Sequence, residues 1–368
     1  MIMKRTSLIF VCSMLLLILI VFDQCQNRGN KEVTLDVNYS TPPKRLSDYH
    51  FFKGEMNELL PNNRVLPYDL ITPLFSDYAQ KQRFVWMPEG VSAKYTRDEV
   101  FDFPLGTVLI KNFYYPYDLR DQSKGRRIVE TRLLIHKSDK WDALTYVWNE
   151  KQDDAELNII GANRNVEWVD LNGIKMHDDY SVPNKNQCKG CHGFNGSLSA
   201  IGPKVRNLNH DYDYVEGRSN QLARWASTGY LTGFDAAANL SNKVAKWDDS
   251  TTGTVELRAR AYLDVNCAHC HRPEGSANPS GLYLFYGNTD PGKLGVLKTP
   301  EAAGSGGGDF LYDIIPGHPE SSILPYRMGN IDPGKMMPQI GRKLVHQEGL
   351  DLIKTWISSM PQKASIKK

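Results

Sequence analysis

Cysteine and histidine recur at one fixed spacing at two places in the second half of the chain. Cys188-Lys-Gly-Cys191-His192 and Cys267-Ala-His-Cys270-His271 each hold two cysteines that are separated by two residues and followed at once by histidine. Two cysteines at this spacing can form thioether bonds to the two vinyl groups of one haem, and the adjacent imidazole can then ligate the iron. The motifs predict two covalently attached haem c groups. The attachment residues are Cys188, Cys191, Cys267 and Cys270, and the proximal iron ligands are His192 and His271.

Other uses of paired cysteines fit this pattern less well. A zinc ribbon places its two pairs roughly 15–20 residues apart, whereas here one pair ends at 191 and the next begins at 267. A thioredoxin-like pair needs a βαβ context, and the pattern around neither motif provides one. The remaining cysteines, Cys12 and Cys25, lie in or beside an apolar N-terminal run. The folded part therefore has no cysteine left for a structural disulfide.

The second haem has a methionine donor within reach. The segment 331–341 precedes the last predicted helix and contains Met336 and Met337 before Pro338. We predict Met337 as the sixth ligand, with Met336 and Met328 as alternatives. The competing interpretation is that these methionines only fill gaps in the core. His/Met ligation raises the reduction potential, so this haem is expected to have the higher potential.

The sixth ligand of the first haem stays open. No methionine occurs between His192 and Met328, so the candidates are His210, Met176 and His177, or no residue at all. An open sixth position would let the iron bind a small molecule. His269, inside the second motif, is expected to point away from the iron and to have no ligand role.

These residues need elements to position them, and the pattern before Val182 favours strands. Five runs rich in β-branched and aromatic residues lie between turn residues, at 84–87, 107–110, 128–135, 143–148 and 166–169. Strands at this spacing predict an all-β domain of sandwich or barrel type. Lys111, Arg126 and Arg127 are predicted to be solvated charges at strand edges, with pairing to haem propionates as the alternative.

Helical periodicity replaces the strand pattern after Pro183. Helices are predicted at 219–231, at 254–266 and at about 346–359, the last with Leu350, Ile353 and Trp356 on one stripe. In the middle helix we expect Leu257 and Ala261 on the buried side. The predicted fold class is thus multidomain, an all-β domain followed by mainly α cytochrome c-type haem domains. The boundaries are 1–25 signal peptide or membrane anchor, 26–45 linker, 46–182 β domain, 183–250 first haem region and 251–368 cytochrome c domain with the second haem.

The N-terminus predicts export. Lys4 and Arg5 precede an apolar run of about 15 residues, followed by a polar stretch, as in a secretory signal. The run is shorter than the ~20 residues that usually span a bilayer, although an uncleaved anchor or lipid attachment at Cys25 is an alternative. Without residues 1–25 the chain keeps 42 basic and 41 acidic residues. This balance predicts no nucleic-acid partner, and the expected location is periplasmic.

Several strings resemble a known family, the exported dihaem c-type cytochromes with an N-terminal β domain, whose role is largely unassigned. The strings lie at 67–78, 84–88, 145–149, 183–192, 201–204 with 208–209, and 220–222, and the resemblance covers nearly the whole chain after the signal. The segment 316–357 is similar to cytochrome c domains of other exported multidomain proteins. In those domains the methionine before proline looks like the distal ligand, which again implies Met337.

These observations lead to one expected function and two alternatives. The expected function is electron transfer between redox partner proteins by two haems, with no separate catalytic residues. The first alternative is a dihaem peroxidase or small-molecule oxidoreductase in which the first haem is the reaction site. The second makes the β domain a docking module for a partner or a polymer.

Overall fold

The computed structural model describes residues 31–37, 39–138, 140–235 and 242–362. The predicted signal peptide or anchor, Cys25 and residues 26–30 of the predicted linker lie outside these ranges. Within them, no helix has both the length and the apolar character needed to cross a membrane.

Strands are the most numerous regular elements of the described residues. They are β1 Phe52–Lys53, β2 Leu60–Pro61, β3 Val65–Tyr68, β4 Gln80–Trp86, β5 Ala93–Lys94, β6 Val108–Pro116, β7 Arg126–His136, β8 Trp141–Trp148, β9 Ala155–Leu157, β10 Ala162–Val169, β11 Lys175–Val182, β12 Gly193–Phe194, β13 Ser197–Leu198, β14 Asp211–Tyr214, β15 Gly217–Asn220 and β16 Leu231–Thr232. The five runs predicted as strands fall on β4, β6, β7, β8 and β10, so their strand assignment is confirmed.

One antiparallel sheet of six strands organises this part of the chain. Its order is β3-β4-β6-β7-β8-β9, so neighbouring strands of the sheet also follow one another along the chain, with β5 alone left out. The remaining strands pair two by two, and the hairpin β10-β11 is the longest of these pairs. Trp168 and Tyr180 of that hairpin pack with Phe113 and Tyr115 of the large sheet.

Six short α-helices accompany the strands in the described residues. They are α1 Lys185–His192, α2 Val205–Leu208, α3 Gln221–Ser227, α4 Val255–Asn266, α5 Ile323–Met328 and α6 Gln347–Ser359. Short 3₁₀ turns lie at Leu46–Tyr49, Met56–Glu58, Gln122–Lys124, Asn278–Ser280, Gly304–Gly307 and Pro319–Ser321. Thr254 caps α4 by accepting the amide hydrogen of Leu257. The predicted helices at 254–266 and 346–359 agree with α4 and α6, and the predicted helix at 219–231 shortens to α3.

The predicted fold class is wrong, because its second part does not hold. Residues 46–182 do consist of strands and short 3₁₀ turns, and the large sheet stays open, with β3 and β9 at its edges. The part after Val182 is not mainly α, because five strands and long irregular segments lie between its short helices. Alternating apolar residues specify strands but do not specify how a sheet closes. The Gly- and Pro-rich segment between the second motif and Ile323 cannot sustain helices.

Two hydrophobic clusters connect the elements around the cysteine motifs. One joins the sheet residues Val85, Leu109 and Leu134 to Leu222 and Trp225 of α3. The other packs α4 against α6, through Leu263, Ile353 and Trp356 among others. The predicted stripe of α6 is buried, as is Ala261 of α4, but the prediction for Leu257 is wrong because 44% of its surface is exposed.

Candidate cofactor site

A cavity of about 780 Å³ lies between the inner face of the large sheet and the segments that follow Val182. Small-molecule and cofactor sites usually fall in the range of ~300–1,000 Å³. Residues of both motifs line the cavity: Cys188, Cys191 and His192 of the first, and Cys267 and His269 of the second. The sheet supplies one wall, and the loop around Met337 supplies part of another.

The first motif lies on α1. Asn184 begins this helix, accepting the amide hydrogen of Gln187 in a capping box. His192 ends the helix, and its Nδ1 lies 2.9 Å from the carbonyl oxygen of Ser199. A carbonyl can only accept, so the proton is on Nδ1 and the lone pair is on Nε2. Burial lowers the pKa of His192 to about 4, which keeps the ring neutral at pH 7. A neutral imidazole oriented in this way is the usual form of a metal ligand.

The second motif directly follows α4. The amide of Cys267 donates to Leu263, and the amide of His271 donates back to Cys267, both at 2.9 Å. These bonds continue the helical path into the motif. His271 Nδ1 lies 3.3 Å from the hydroxyl oxygen of Ser280, and burial lowers the pKa of His271. Neither Cys270 nor His271 is among the residues that line the cavity.

The two motifs meet at one cluster of side chains. The Sγ atoms of Cys191 and Cys270 and a ring nitrogen of His269 all lie within 4.8 Å of one another. Cys270 Sγ also lies 3.2 Å from the carbonyl oxygen of Gly190 in the first motif. The hydrogen bond from Cys191 lowers the pKa of Cys270, and the same bond raises the pKa of Cys191. His269 thus lies close to both thiols, and the expectation that it does not ligate a haem iron stays a prediction.

The three methionine candidates for the second haem differ in whether they line the cavity. Met337 and Met328 both line the cavity, whereas Met336 is 5% exposed and lies outside the lining. Arg342 holds the loop in place, since its Nη2 donates to the carbonyl oxygens of Met337 at 2.8 Å and of Met328 at 3.1 Å. Met328 also belongs to the hydrophobic cluster between α4 and α6. The choice of Met337 stays a prediction, with Met328 as the alternative inside the cavity.

None of the three residues predicted for the first haem lines the cavity. His210 is turned outward, with Nδ1 3.0 Å from the carbonyl oxygen of Asp211 and Nε2 3.2 Å from that of Asp69. His177 is exposed on β11, and Met176 packs under the hairpin. The sixth ligand of the first haem therefore stays open, with none of the three candidate residues at the cavity.

Two histidines that the sequence analysis missed do line the cavity. His136 ends β7, stacks on Trp141 at 4.5 Å, and places Nδ1 2.9 Å from the carbonyl oxygen of Phe103. Its Nε2 has no hydrogen bond within the described residues. His346 stacks on Phe75 at 4.1 Å and bonds the Tyr262 hydroxyl through Nδ1 at 2.9 Å. The sequence offers a signal only for His136. It lies two residues after Leu134 and four after Arg132, so all three face the same side of the strand.

The residues present fit a covalently held haem. The cavity offers the thiol pair of Cys188 and Cys191, the thiol of Cys267, and the Nε2 of a neutral, oriented His192. It is also lined by Arg83, whose Nη2 is buried without a hydrogen-bond partner. An unpaired buried guanidinium nitrogen fits a ligand with carboxylate groups.

Comparison with known proteins identifies no family for this chain. The chain matches no protein-family model, no curated protein and no solved structure. The resemblance to exported dihaem cytochromes therefore rests on the motifs quoted above.

Proposed function

We propose that this chain is an exported dihaem c-type cytochrome that carries electrons between redox partner proteins. The strongest support is that both Cys-x-x-Cys-His motifs contribute residues to one cavity and that the sulfurs of Cys191 and Cys270 lie within 4.8 Å of each other. Haems attached at neighbouring cysteines would lie close to each other. Close haems suit a protein that passes electrons internally from one centre to the next.

Each group of residues has a defined task in this proposal. A haem iron, when bound, supplies a reversible one-electron couple. The four motif cysteines anchor the ring edges, and His192 and His271 present neutral imidazoles because burial lowers their pKa values. The Ser199 carbonyl holds the His192 ring in one orientation. Met337 is the proposed sixth ligand of the second haem, and apolar sheet residues restrict the access of water.

The proposed location is the periplasm, with possible attachment to the membrane through the N-terminus. It rests on the charge and apolar pattern of residues 1–25. The four motif cysteines are free thiols, which covalent attachment of haem c requires.

The decisive experiment is a haem count on the full chain, expressed with a c-type maturation system. A pyridine haemochrome assay and intact mass should give two haems per chain. Replacing Cys188 and Cys191 by serine should remove one haem, and replacing Cys267 and Cys270 should remove the other. Lys189→Ala, an exposed residue between the first pair of cysteines, is the matched control and should keep two. A chain that matures without covalent haem would contradict the proposal.

A haem enzyme is the second candidate function. It is favoured by the finding that His210, His177 and Met176 all lie outside the cavity, which leaves the sixth position of the first haem without its predicted ligands. A peroxidase or small-molecule oxidoreductase would use that position for its substrate. Steady peroxidase turnover with a reduced donor would favour the enzyme. Turnover equal to that of free haem at the same concentration would exclude it.

A metal ion without haem competes for the same residues. Two thiols and one imidazole within 4.8 Å form a donor set that suits zinc or copper. Thioether formation would remove Cys191 and Cys270 from such a set, so the two states exclude each other. Elemental analysis of the mature protein separates them: iron at two atoms per chain supports haem, and stoichiometric zinc or copper supports the metal site.

A further inference from the structure

Three cations form one row across the sheet wall of the cavity. Arg83 on β4 pairs directly with Lys111 on β6, and Lys111 pairs directly with Arg132 on β7. All three side chains line the cavity. Like charges directly opposite each other on neighbouring strands are destabilising. A row of three therefore needs a compensating anion.

Carboxylates of the protein compensate this row only in part. Asp69 pairs with Arg83 at 2.6 Å, and Glu130 pairs with Arg132 and is fully buried. Within the described residues, Lys111 Nζ has no carboxylate within 4 Å, and its nearest aromatic contact is the Phe113 ring at 4.7 Å. Burial and the neighbouring Arg83, Lys81 and Arg132 lower the pKa of Lys111 well below that of an ordinary lysine, so an anion beside the amine would favour its charged form.

Arg83 gives a second, independent sign of a missing partner. Its side chain is only 4% exposed, and its Nη1 is used by Asp69. Its Nη2 is buried and has no hydrogen-bond partner among the described residues. Leaving a charged donor buried and unpaired costs free energy, so such groups usually face a ligand or an ion.

The next row along the same face is apolar. Val85, Leu109, Leu134 and Ala143 are paired in sequence across four strands, two residues away from the cationic row. Val85, Leu109, Leu134 and Ala143 belong to one hydrophobic cluster, and Cys188 packs against it. Two residues along a strand span roughly 7 Å. The wall therefore changes from apolar to cationic over a distance similar to the size of a small ring system.

We propose that the row Arg83, Lys111 and Arg132 binds the carboxylate groups of an apolar anion whose body lies against Leu109 and Leu134. Two sources share this chemistry. One is the propionates of the first haem, which rests on the proposed function. The other is a free aromatic or aliphatic carboxylate that enters the cavity.

The test combines one variant with one probe on the full, mature chain. Lys111→Met removes the charge and keeps the length of the side chain, and Lys111→Arg restores the charge. Lys53→Met is the control, because Lys53 is exposed and does not line the cavity. Benzoate is the probe, with neutral benzamide at equal ionic strength as its control. Melting temperatures establish that each variant is folded.

The readouts are the midpoint potentials and calorimetric titration with the probe. If haem propionates occupy the row, calorimetric titration of the wild type with benzoate should show no binding. Lys111→Met should then lower one midpoint potential, because loss of a cation favours the ferric state. The expected shift is about a tenfold change in the reduction equilibrium, which equals 59 mV for one electron. Lys111→Arg should restore it. If a free carboxylate is the ligand, benzoate binds saturably, benzamide does not, and Lys111→Met weakens binding at least tenfold.

Two results would overturn the inference. One is a Lys111→Met protein with wild-type potentials together with no benzoate binding in the wild type. The other is benzoate binding that Lys111→Met leaves unchanged. If the haem count shows no haem, the proposed function fails by itself. Benzoate titration alone then tests the inference about the cationic row, and absence of binding would overturn it.

Discussion

The thiol sulfurs of Cys191 and Cys270, from two motifs far apart in the chain, lie within 4.8 Å of each other and of His269. This contact results from the packing of the first motif's helix against the turn that follows α4, where Cys270 Sγ lies 3.2 Å from the carbonyl oxygen of Gly190. Two cofactors attached here would be electrostatically coupled.

Removal of one haem should therefore change the potential of the other. At a separation of ~10 Å and an effective dielectric constant of about 20, one unit charge alters the neighbour's reduction by about 1–2 kcal/mol, or ~40–80 mV. The Cys267→Ser, Cys270→Ser double variant should shift the remaining haem by this amount. Spectroelectrochemical titration measures it, with Lys189→Ala as control. A remaining potential identical to one of the two wild-type values would contradict the coupling.

Met337 should control the state of the second haem. Met337→Ala removes the proposed sulfur donor that lines the cavity. The ferric protein should lose the sulfur-to-iron charge-transfer band, and the higher midpoint potential should fall because His/Met ligation raises it. Met336→Leu, at a buried site outside the lining, is the matched control. If Met328→Leu abolishes the band and Met337→Ala does not, the ligand is Met328.

His210 should be irrelevant to the first haem, because both of its ring nitrogens face backbone carbonyls outside the cavity. His210→Ala should leave the reduced absorption spectrum and the response to carbon monoxide unchanged. His136→Ala is the informative partner, since His136 lines the cavity and its Nδ1 is already held by Phe103. A change with His210→Ala, and none with His136→Ala, would show that the chain rearranges when the haem is attached.

Asp178 should make the protein less stable as the pH rises. Burial, and then repulsion from Asp77, raises the pKa of Asp178 to about 6 in the folded state. The unfolded carboxyl ionises near pH 4, so folding is not penalised below that pH. The penalty grows between pH 4 and 6 and stays constant above. Asp178→Asn should stabilise the protein at pH 7 by about 1–3 kcal/mol, an advantage that should vanish below pH 4.

Urea unfolding at pH 3.5, 5 and 7 measures this effect. Asp179→Asn is the control, because Asp179 is exposed on the same strand and pairs with Lys343 at 3.1 Å. An advantage of Asp178→Asn that is equal at all three pH values would argue for a packing effect rather than for ionisation.

The buried ion pair between Arg206 and Asp264 should be critical for stability. It has an N–O distance of 2.8 Å, with 6% and 4% of the two side chains exposed. Burial alone would raise the pKa of Asp264, but Lys204 and Arg206 lower it. Asp264→Asn leaves two buried cations uncompensated and should cost about 3–5 kcal/mol. Asp211→Asn, which breaks an exposed pair with Arg218, should cost about 0–1 kcal/mol. Denaturant midpoints for the two variants should differ accordingly, and equal midpoints would contradict the prediction.

The sequence was informative wherever chemistry depends on neighbours in the chain. The spacing of the two motifs, the five main strands, and the helices α4 and α6 follow from local periods, turn residues and caps. It failed where neighbours come from elsewhere. His210 is close to His192 in sequence but does not line the cavity. His136 is distant in sequence and lines the same cavity.

Lys111 illustrates the difference between the two kinds of information. Its sequence context predicts a solvated charge at a strand edge. Only the register of β4, β6 and β7 aligns it with Arg83 and Arg132 in one row that faces a cavity. By itself, the sequence determined which residues could attach a cofactor, because that chemistry needs a fixed covalent spacing. Only the tertiary structure decided that both motifs share one cavity and which side chains face it, because burial and proximity depend on long-range packing.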